Sequence, residues 1–168
     1  MAAPRRLGRT AARVAGHVRG VLARGRGARP PRPGTSPPTP GPVDVEYRPH
    51  DDERPDPGEV VWAWVPFDEG DGRGKDRPVL VIGRRGAELL GLLLSSRDHD
   101  RDAADEARHG RSWTDVGTGA WDPRRRPSEV RLDRLLVLDP ATVRREGAAL
   151  DRARFERVVG QARRVQGW

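Results

Sequence analysis

The chain contains no cysteine and only one lysine, Lys75, among its 32 basic residues. The lack of cysteine excludes disulfides, thiolate nucleophiles and cysteine-based zinc sites, and it fits the reducing environment of the cytoplasm, where we expect the protein to reside. Long apolar runs are also missing. The longest, Val60–Val65 and Leu89–Leu94, have six residues each, whereas a helix needs about 20 to cross a bilayer, so we predict no membrane span.

Acidic residues are absent from the first 42 positions, which contain nine arginines. The other 126 residues contain 23 basic and 25 acidic side chains, so the formal net charge of +7 belongs to the N-terminal extension and not to the body. Because the body is nearly neutral, the high isoelectric point does not indicate a protein that coats nucleic acid with its whole surface.

Two segments precede the main domain. Residues 1–28 form a basic, weakly amphipathic pattern in which glycines weaken any helix. This pattern is compatible with a disordered or partly helical extension, with a surface attracted to RNA or anionic lipid, or with a targeting peptide. Residues 29–56 begin with seven prolines in positions 29–42, and the acidic patch Asp51, Asp52, Glu53 and Asp56 follows. We predict that they form an extended linker and that the domain comprises residues 57–168.

The main domain has the pattern of a small β protein. Short runs rich in β-branched, aromatic and other apolar residues alternate with turn signals. The predicted strands are Glu59–Phe67, Pro78–Ile82, Leu89–Leu94, Trp113–Val116 and Glu129–Leu138. Apolar residues then recur at helical spacing from Asp151 to Val165, which predicts a C-terminal helix. Several short strands followed by one helix favour a mainly β fold, a small closed barrel.

Polar residues at the ends of these strands are the candidates for chemistry, because the chain has no P-loop, HExxH or GxSxG motif. Arg77 precedes one strand and Ser95 ends the next. Arg131 and Asp133 alternate with apolar residues, so they are expected on one face of their strand. These groups could converge on one surface. Alternatively, the arginines are solvated and Arg131–Asp133 is a surface ion pair worth less than about 1 kcal/mol.

The histidines fall in predicted loops or in the N-terminal extension. Asp98, His99 and Asp100 have the residue types of a metal site, but adjacent residues point apart on any regular backbone. We therefore predict a solvated charged loop here, and neither a metal site nor a cofactor.

Four segments carry a family resemblance. They read PGEVVW at Pro57–Trp62, RPVLVI at Arg77–Ile82, LSS at Leu94–Ser96 and VRLD at Val130–Asp133. In this order they resemble the MazF/PemK family of toxin endoribonucleases, and the resemblance covers about residues 57–166. It implies an SH3-like barrel, usually a homodimer, that cleaves single-stranded RNA without a metal. It also implies a type II toxin–antitoxin system, in which a cognate antitoxin protein is the partner.

The resemblance also suggests roles for individual residues. Arg77 is similar to the catalytic arginine of the family, Ser95 to its catalytic threonine or serine, and Arg131 with Asp133 to its Arg/Asp pair. In such a site Asp133 would accept the proton of the RNA 2′-hydroxyl, the arginines would bind the phosphate oxygens, and Ser95 would donate a hydrogen bond. Further candidates for contacting the substrate are Arg73, Lys75, Ser96, Arg97 and Trp113.

A second function remains open from the sequence. The chain could be a non-catalytic barrel that binds RNA or a partner protein, with affinity for nucleic acid supplied by the arginines of the N-terminal extension. Binding would then weaken steeply with salt and with removal of residues 1–42.

Overall fold

The structure is a computed structural model that describes residues 43–99 and 102–168. The predictions for residues 1–28 and for the proline-rich part of the linker lie outside these described residues. Within them, no helix is long and apolar enough to cross a membrane.

The described chain is mainly β. Its strands are β1 (Asp44–Val45), β2 (Glu59–Pro66), β3 (Gly74–Arg85), β4 (Glu88–Ser95), β5 (Trp113–Gly117), β6 (Ser128–Leu138) and β7 (Arg144–Ala149). Its helices are α1 (Ala103–Arg108) and α2 (Arg152–Gln166), with a short 3-10 turn at Pro140–Thr142. All five strands predicted from the sequence are present. Both β1 and β7 were missed, since neither has an apolar pattern, and α1 was missed because it is short and polar.

The strands form one antiparallel sheet in the order β5-β6-β4-β3-β2-β7, and β1 pairs with β3. Register shifts in the pairings β2–β7, β3–β4 and β4–β6 bend the strands, since bulges add local twist. The sheet therefore curls into a half-barrel. The predicted mainly β fold with a C-terminal helix is confirmed.

Alternation along the strands divides the core between the two faces of the sheet. One face packs against α2, with Val60, Leu80 and Ile82 beneath Phe155 and Val158. The other face carries a second apolar cluster, which we call the inner cluster. Its buried members are Val61, Ala63, Val65, Val79, Val81, Leu89, Leu136 and Leu138. Burial of both faces explains why β3 and β4 read as nearly continuous apolar runs.

The linker predicted for residues 29–56 ends earlier than expected, because its last part packs on the domain. Asp44–Val45 pairs with β3, and Gly83 permits this close approach, since a Cβ there would lie 2.0 Å from the carbonyl oxygen of Asp44. The Tyr47 hydroxyl donates to the Leu150 carbonyl at 2.9 Å, and its ring lies 5.0 Å from that of Phe155. A single aromatic residue among charged neighbours gave no periodic signal for this contact.

Candidate functional site

A groove of about 450 Å³ lies where the face of the sheet that carries the inner cluster changes from apolar to polar. Residues two apart on a strand share a face. Arg77 therefore lies on the same face of β3 as Val79 and Val81, and Ser95 lies on the same face of β4 as Leu93. Loops and β6 complete the wall. The lining residues are Val65, Pro66, Phe67, Asp68, Glu69, Arg73, Arg77, Leu93, Ser95, Arg97, His99, Glu106, Arg111, Trp113, Arg131 and Arg134.

Arg77 supplies an uncompensated positive charge to this groove. Its side chain is half-buried on β3. Among the residues that the structure describes, no carboxylate pairs with its guanidinium. A guanidinium has five N–H donors and stays charged at any physiological pH, so this side chain is ready to bind an anion.

Arg131 is held at the groove by two carboxylates, although its strand buries it to 8% exposure. Asp133, on the same face of β6, accepts from Arg131 Nε and Nη2, the latter at 2.7 Å. It also accepts from the backbone N–H of Ser112 at 2.8 Å. The predicted sharing of one face by Arg131 and Asp133 is confirmed, since Val130 and Leu132 point into the core on the other side.

The second carboxylate is that of Asp68, in the loop between β2 and β3. It accepts from Arg131 Nη1 at 2.8 Å, from Arg134 Nη1 at 2.7 Å and from Arg111 Nε at 3.2 Å. Burial acts to raise the pKa of Asp68, but the hydrogen bond and charge of Arg131, with the charges of Arg134 and Arg111, outweigh it and lower the pKa. We call these three arginines the arginine cluster.

His99 closes the opposite wall with both ring nitrogens directed at polar side chains. Its Nε2 lies 3.1 Å from Ser95 Oγ, and its Nδ1 lies 3.6 Å from Glu106 Oε1. The ring stacks on Trp113 with centroids 3.8 Å apart and planes 4° apart. Trp113 Nε1 in turn donates to Glu106 Oε2 at 3.0 Å. His99 is therefore not the solvated loop residue that the sequence predicted.

The charges around His99 act on its pKa in opposite directions. Burial lowers the pKa of His99 most strongly, Glu106 raises it, and Arg97 and Arg111 lower it further, so that the result is a lowered pKa. For Glu106, burial acts to raise the pKa, but the hydrogen bond from Trp113 and the charges of Arg111 and His99 outweigh it and lower the pKa. The pair is therefore a carboxylate beside a neutral imidazole near pH 7.

The groove contains most of the residues singled out in the sequence. Arg73, Arg77, Ser95, Arg97, Trp113 and Arg131 all line it. Three of the predicted residues do not line it. Lys75 is exposed, Ser96 is half-buried, and Asp133 is bound to Arg131. Sequence reasoning missed Asp68, His99, Glu106, Arg111 and Arg134. Four of these lie in loops or in α1, where no periodicity marks them. Arg134 breaks the alternation of Arg131 and Asp133. It reaches the groove because β6 is irregular between Val130 and Leu135.

Comparison with known proteins identifies the family. The profile of the family described as "PemK-like, MazF-like toxin of type II toxin-antitoxin system" matches residues 56–165. No curated protein matches the chain. Among solved structures, the chain is similar to the crystal structure of MazE–MazF (Form-II) from Deinococcus radiodurans, at 18% identity and a TM-score of 0.45, over 69% of this chain and 98% of that one. Because the profile covers well over half of the sequence, the chain belongs to the PemK-like, MazF-like toxin family of type II toxin–antitoxin systems.

Proposed function

We propose that this protein is an endoribonuclease that cleaves single-stranded RNA without a metal ion. The observation that carries the proposal is that Arg77, Ser95 and Arg131, from three different strands, line one groove. The guanidinium of Arg77, which pairs with no carboxylate among the described residues, would bind a backbone phosphate. The volume of about 450 Å³ lies within the range of roughly 300–1,000 Å³ that is usual for ligand sites.

The residue types suit cleavage by the 2′-hydroxyl of the RNA itself. Arg77 and Arg131 would bind the non-bridging oxygens as charge develops on the pentavalent phosphorus, and Ser95 would hydrogen-bond the attacking 2′-hydroxyl. Asp133 has a different role from the one expected. Its carboxylate is occupied by Arg131 and by the Ser112 N–H, so it orients Arg131 and does not accept the proton.

Membership of the toxin family supports two partners. We infer that a cognate antitoxin protein covers the groove, and that an acidic segment of it would suit the arginine cluster. We also infer a homodimer, on the same family basis. Cleavage would take place in the cytoplasm, where the RNA is.

The test is cleavage of a long single-stranded RNA by the purified protein in EDTA. We expect fragments with 2′,3′-cyclic phosphate ends, and a loss of about 100- to 1,000-fold in rate for Arg77→Ala, the usual effect of removing one transition-state donor. Arg48→Ala is the matched control, because Arg48 is exposed and pairs only weakly with Glu46. Intact RNA at high protein concentration, or equal cleavage by the two variants, would reject the proposal. Salt-sensitive RNA binding without cleavage would instead indicate a non-catalytic binding protein.

A further inference from the structure

We propose that His99 is the general base of the reaction: it accepts the proton of the attacking 2′-hydroxyl through the hydroxyl of Ser95, and the carboxylate of Glu106 faces its other ring nitrogen. This inference rests on the ribonuclease function proposed above. It assigns the proton acceptor to a histidine from the segment between β4 and β5, and not to the carboxylate of the Arg/Asp pair.

The carboxylates beside the arginines are poor proton acceptors. Asp133 is bound by Arg131 and by a backbone N–H. Asp68 is bound by the three guanidinium groups of the arginine cluster, and its pKa is lowered. A carboxylate that is already neutralised by arginine has little affinity for a further proton. The acceptor must therefore be sought elsewhere on the groove wall.

His99 is placed against the hydroxyl that already belongs to the site. Ser95 is buried to 6% exposure, and its Oγ accepts from the backbone N–H of Arg97 at 3.1 Å. His99 Nε2 lies 3.1 Å from Ser95 Oγ, and in the tautomer with its proton on Nδ1 the Nε2 lone pair accepts the Ser95 hydroxyl proton. Ser95 and His99 both line the groove, and the 3.1 Å between them is within the distance at which a general base acts.

Glu106 determines which nitrogen of His99 carries the proton. His99 Nδ1 is buried and makes no hydrogen bond within the described residues, and the carboxylate of Glu106 is the charge that faces it, at 3.6 Å. An N–H on Nδ1 directed at this carboxylate leaves Nε2 free to accept. The same logic operates wherever an acidic residue orients a catalytic imidazole.

The ring is also fixed in place. Trp113 covers one face of the His99 ring at 3.8 Å and holds Glu106 through its indole N–H. The backbone N–H of His99 donates to Glu129 Oε2 at 3.1 Å. A base whose rotamer is locked by stacking and by hydrogen bonds needs little reorganisation during the reaction.

The charged groups around His99 are compatible with this role. Glu106 of α1 and Glu129 of β6 are negative, and Arg97 and Arg111 are positive. Asp98 precedes His99 in the chain. Burial and the two arginines leave the imidazole neutral near pH 7, the form that a general base requires, and Glu106 stabilises the imidazolium formed when it accepts a proton.

The 2′-hydroxyl gives its proton to Ser95 Oγ as the Ser95 proton passes to His99 Nε2. The 2′ oxygen then forms its bond to phosphorus, and the bond from phosphorus to the 5′ oxygen breaks. The 5′ oxygen takes a proton from water, and the imidazolium of His99 returns its proton to solvent. The products are a 2′,3′-cyclic phosphate and a 5′-hydroxyl.

The first test compares His99→Gln with His109→Gln, a matched control, since the His109 ring is exposed and outside the groove. We expect His99→Gln to lower kcat by roughly 100-fold or more, with KM nearly unchanged and the rise of activity with pH abolished. His109→Gln should cleave like the unmodified protein. If the unmodified protein cleaves RNA and His99→Gln has the same rate and pH profile, His99 is not the base. If the unmodified protein does not cleave, the ribonuclease function itself fails.

A second test does not depend on tolerance of a change at position 99. Glu106→Gln keeps an acceptor for the Trp113 N–H but removes the charge behind Nδ1. The pKa of His99 should then fall, so activity should rise at lower pH and reach a lower plateau. Long-range nitrogen NMR of the unmodified protein should show His99 protonated on Nδ1 alone at neutral pH. An Nε2–H tautomer, or an unmoved pH profile in Glu106→Gln, would overturn the proposal.

Discussion

At the scale of single residues, the role of each arginine depends on its partner. The chain has 32 basic residues, so the presence of an arginine carries little information by itself. Among the arginines that line the groove, Arg77 is distinguished by its lack of a carboxylate partner in the described part of the chain. Arg131 is distinguished by its burial between two carboxylates, Asp133 and Asp68, which fix its guanidinium in one orientation.

This arrangement predicts the effect of Asp133→Asn. The change removes the charge that holds Arg131 Nε and Nη2, and it leaves a buried guanidinium with Asp68 as its remaining carboxylate. We expect the free energy of unfolding to fall by about 1–3 kcal/mol, measured by urea denaturation. RNA cleavage should fall with it, because Arg131 is no longer oriented.

Asp105→Asn is the control for this prediction, since Asp105 pairs with Arg108 on the exposed surface of α1. Exposed pairs contribute little to stability, so its urea midpoint should be unchanged. If both variants were equally stable, Asp133 would not be holding Arg131 in solution.

At the scale of elements, the loop between β2 and β3 controls the charge of the groove. Its residue Asp68 brings one carboxylate to the three guanidinium groups of the arginine cluster. An RNA phosphate would need the same donors. The loop also contains Arg73, which lines the groove and pairs with Asp71.

Asp68→Asn should therefore affect stability and binding in opposite directions. The three guanidinium groups would repel one another, so thermal stability should fall. Affinity for a short 2′-O-methyl RNA, which cannot be cleaved, should rise by about tenfold, the worth of one charge-assisted contact. Fluorescence anisotropy at fixed salt measures this affinity. Asp105→Asn, with the same change of charge at an exposed pair outside the groove, should leave it nearly unchanged. Equal or weaker binding by Asp68→Asn would show that Asp68 does not block the groove.

At the scale of the whole molecule, the folded unit extends beyond the segment that the family profile matches. The profile begins at residue 56, yet Asp44–Val45 pairs with β3 and Tyr47 packs beside α2. Arg152 also lies over the Tyr47 ring, at 4.5 Å from its centroid. The two ends of the domain are thus tied to each other through this short segment.

Shortened proteins test this tie. A protein that begins at residue 43 should unfold at the same urea concentration as the full chain, since the segment is intact. A protein that begins at residue 57 loses the β1 pairing and the Tyr47 packing. Its free energy of unfolding should be lower by about 2–4 kcal/mol, by comparison with the removal of a large core side chain. Equal stability of the two shortened proteins would mean that residues 43–56 contribute nothing to the fold.

The sequence predicted the elements whose apolar residues recur at a regular spacing. The five main strands and α2 followed from apolar alternation and helical spacing, and Arg77, Ser95 and Arg131 followed from their positions at strand ends. The segment between β4 and β5 could not be predicted in this way. His99, Glu106 and Arg111 reach the groove through a short polar helix and irregular backbone, and tertiary contacts alone determine their placement. Asp133 was assigned to the right pair, but its hydrogen bonds could not be read from spacing.

The carboxylate of Asp68 has one more consequence, for the size of ligand that the groove can accept. Asp68 belongs to the same chain as the arginine cluster, so it competes with any anion that binds these arginines. Because the loop that carries it is short, its effective concentration is in the millimolar range or above. A lone phosphate ion or mononucleotide would have to exceed that concentration to displace it. A polymer that also engages Arg77 and Arg97 gains several contacts at once and can displace it far more easily. We therefore expect the groove to discriminate against the small anions of the cell and in favour of long strands.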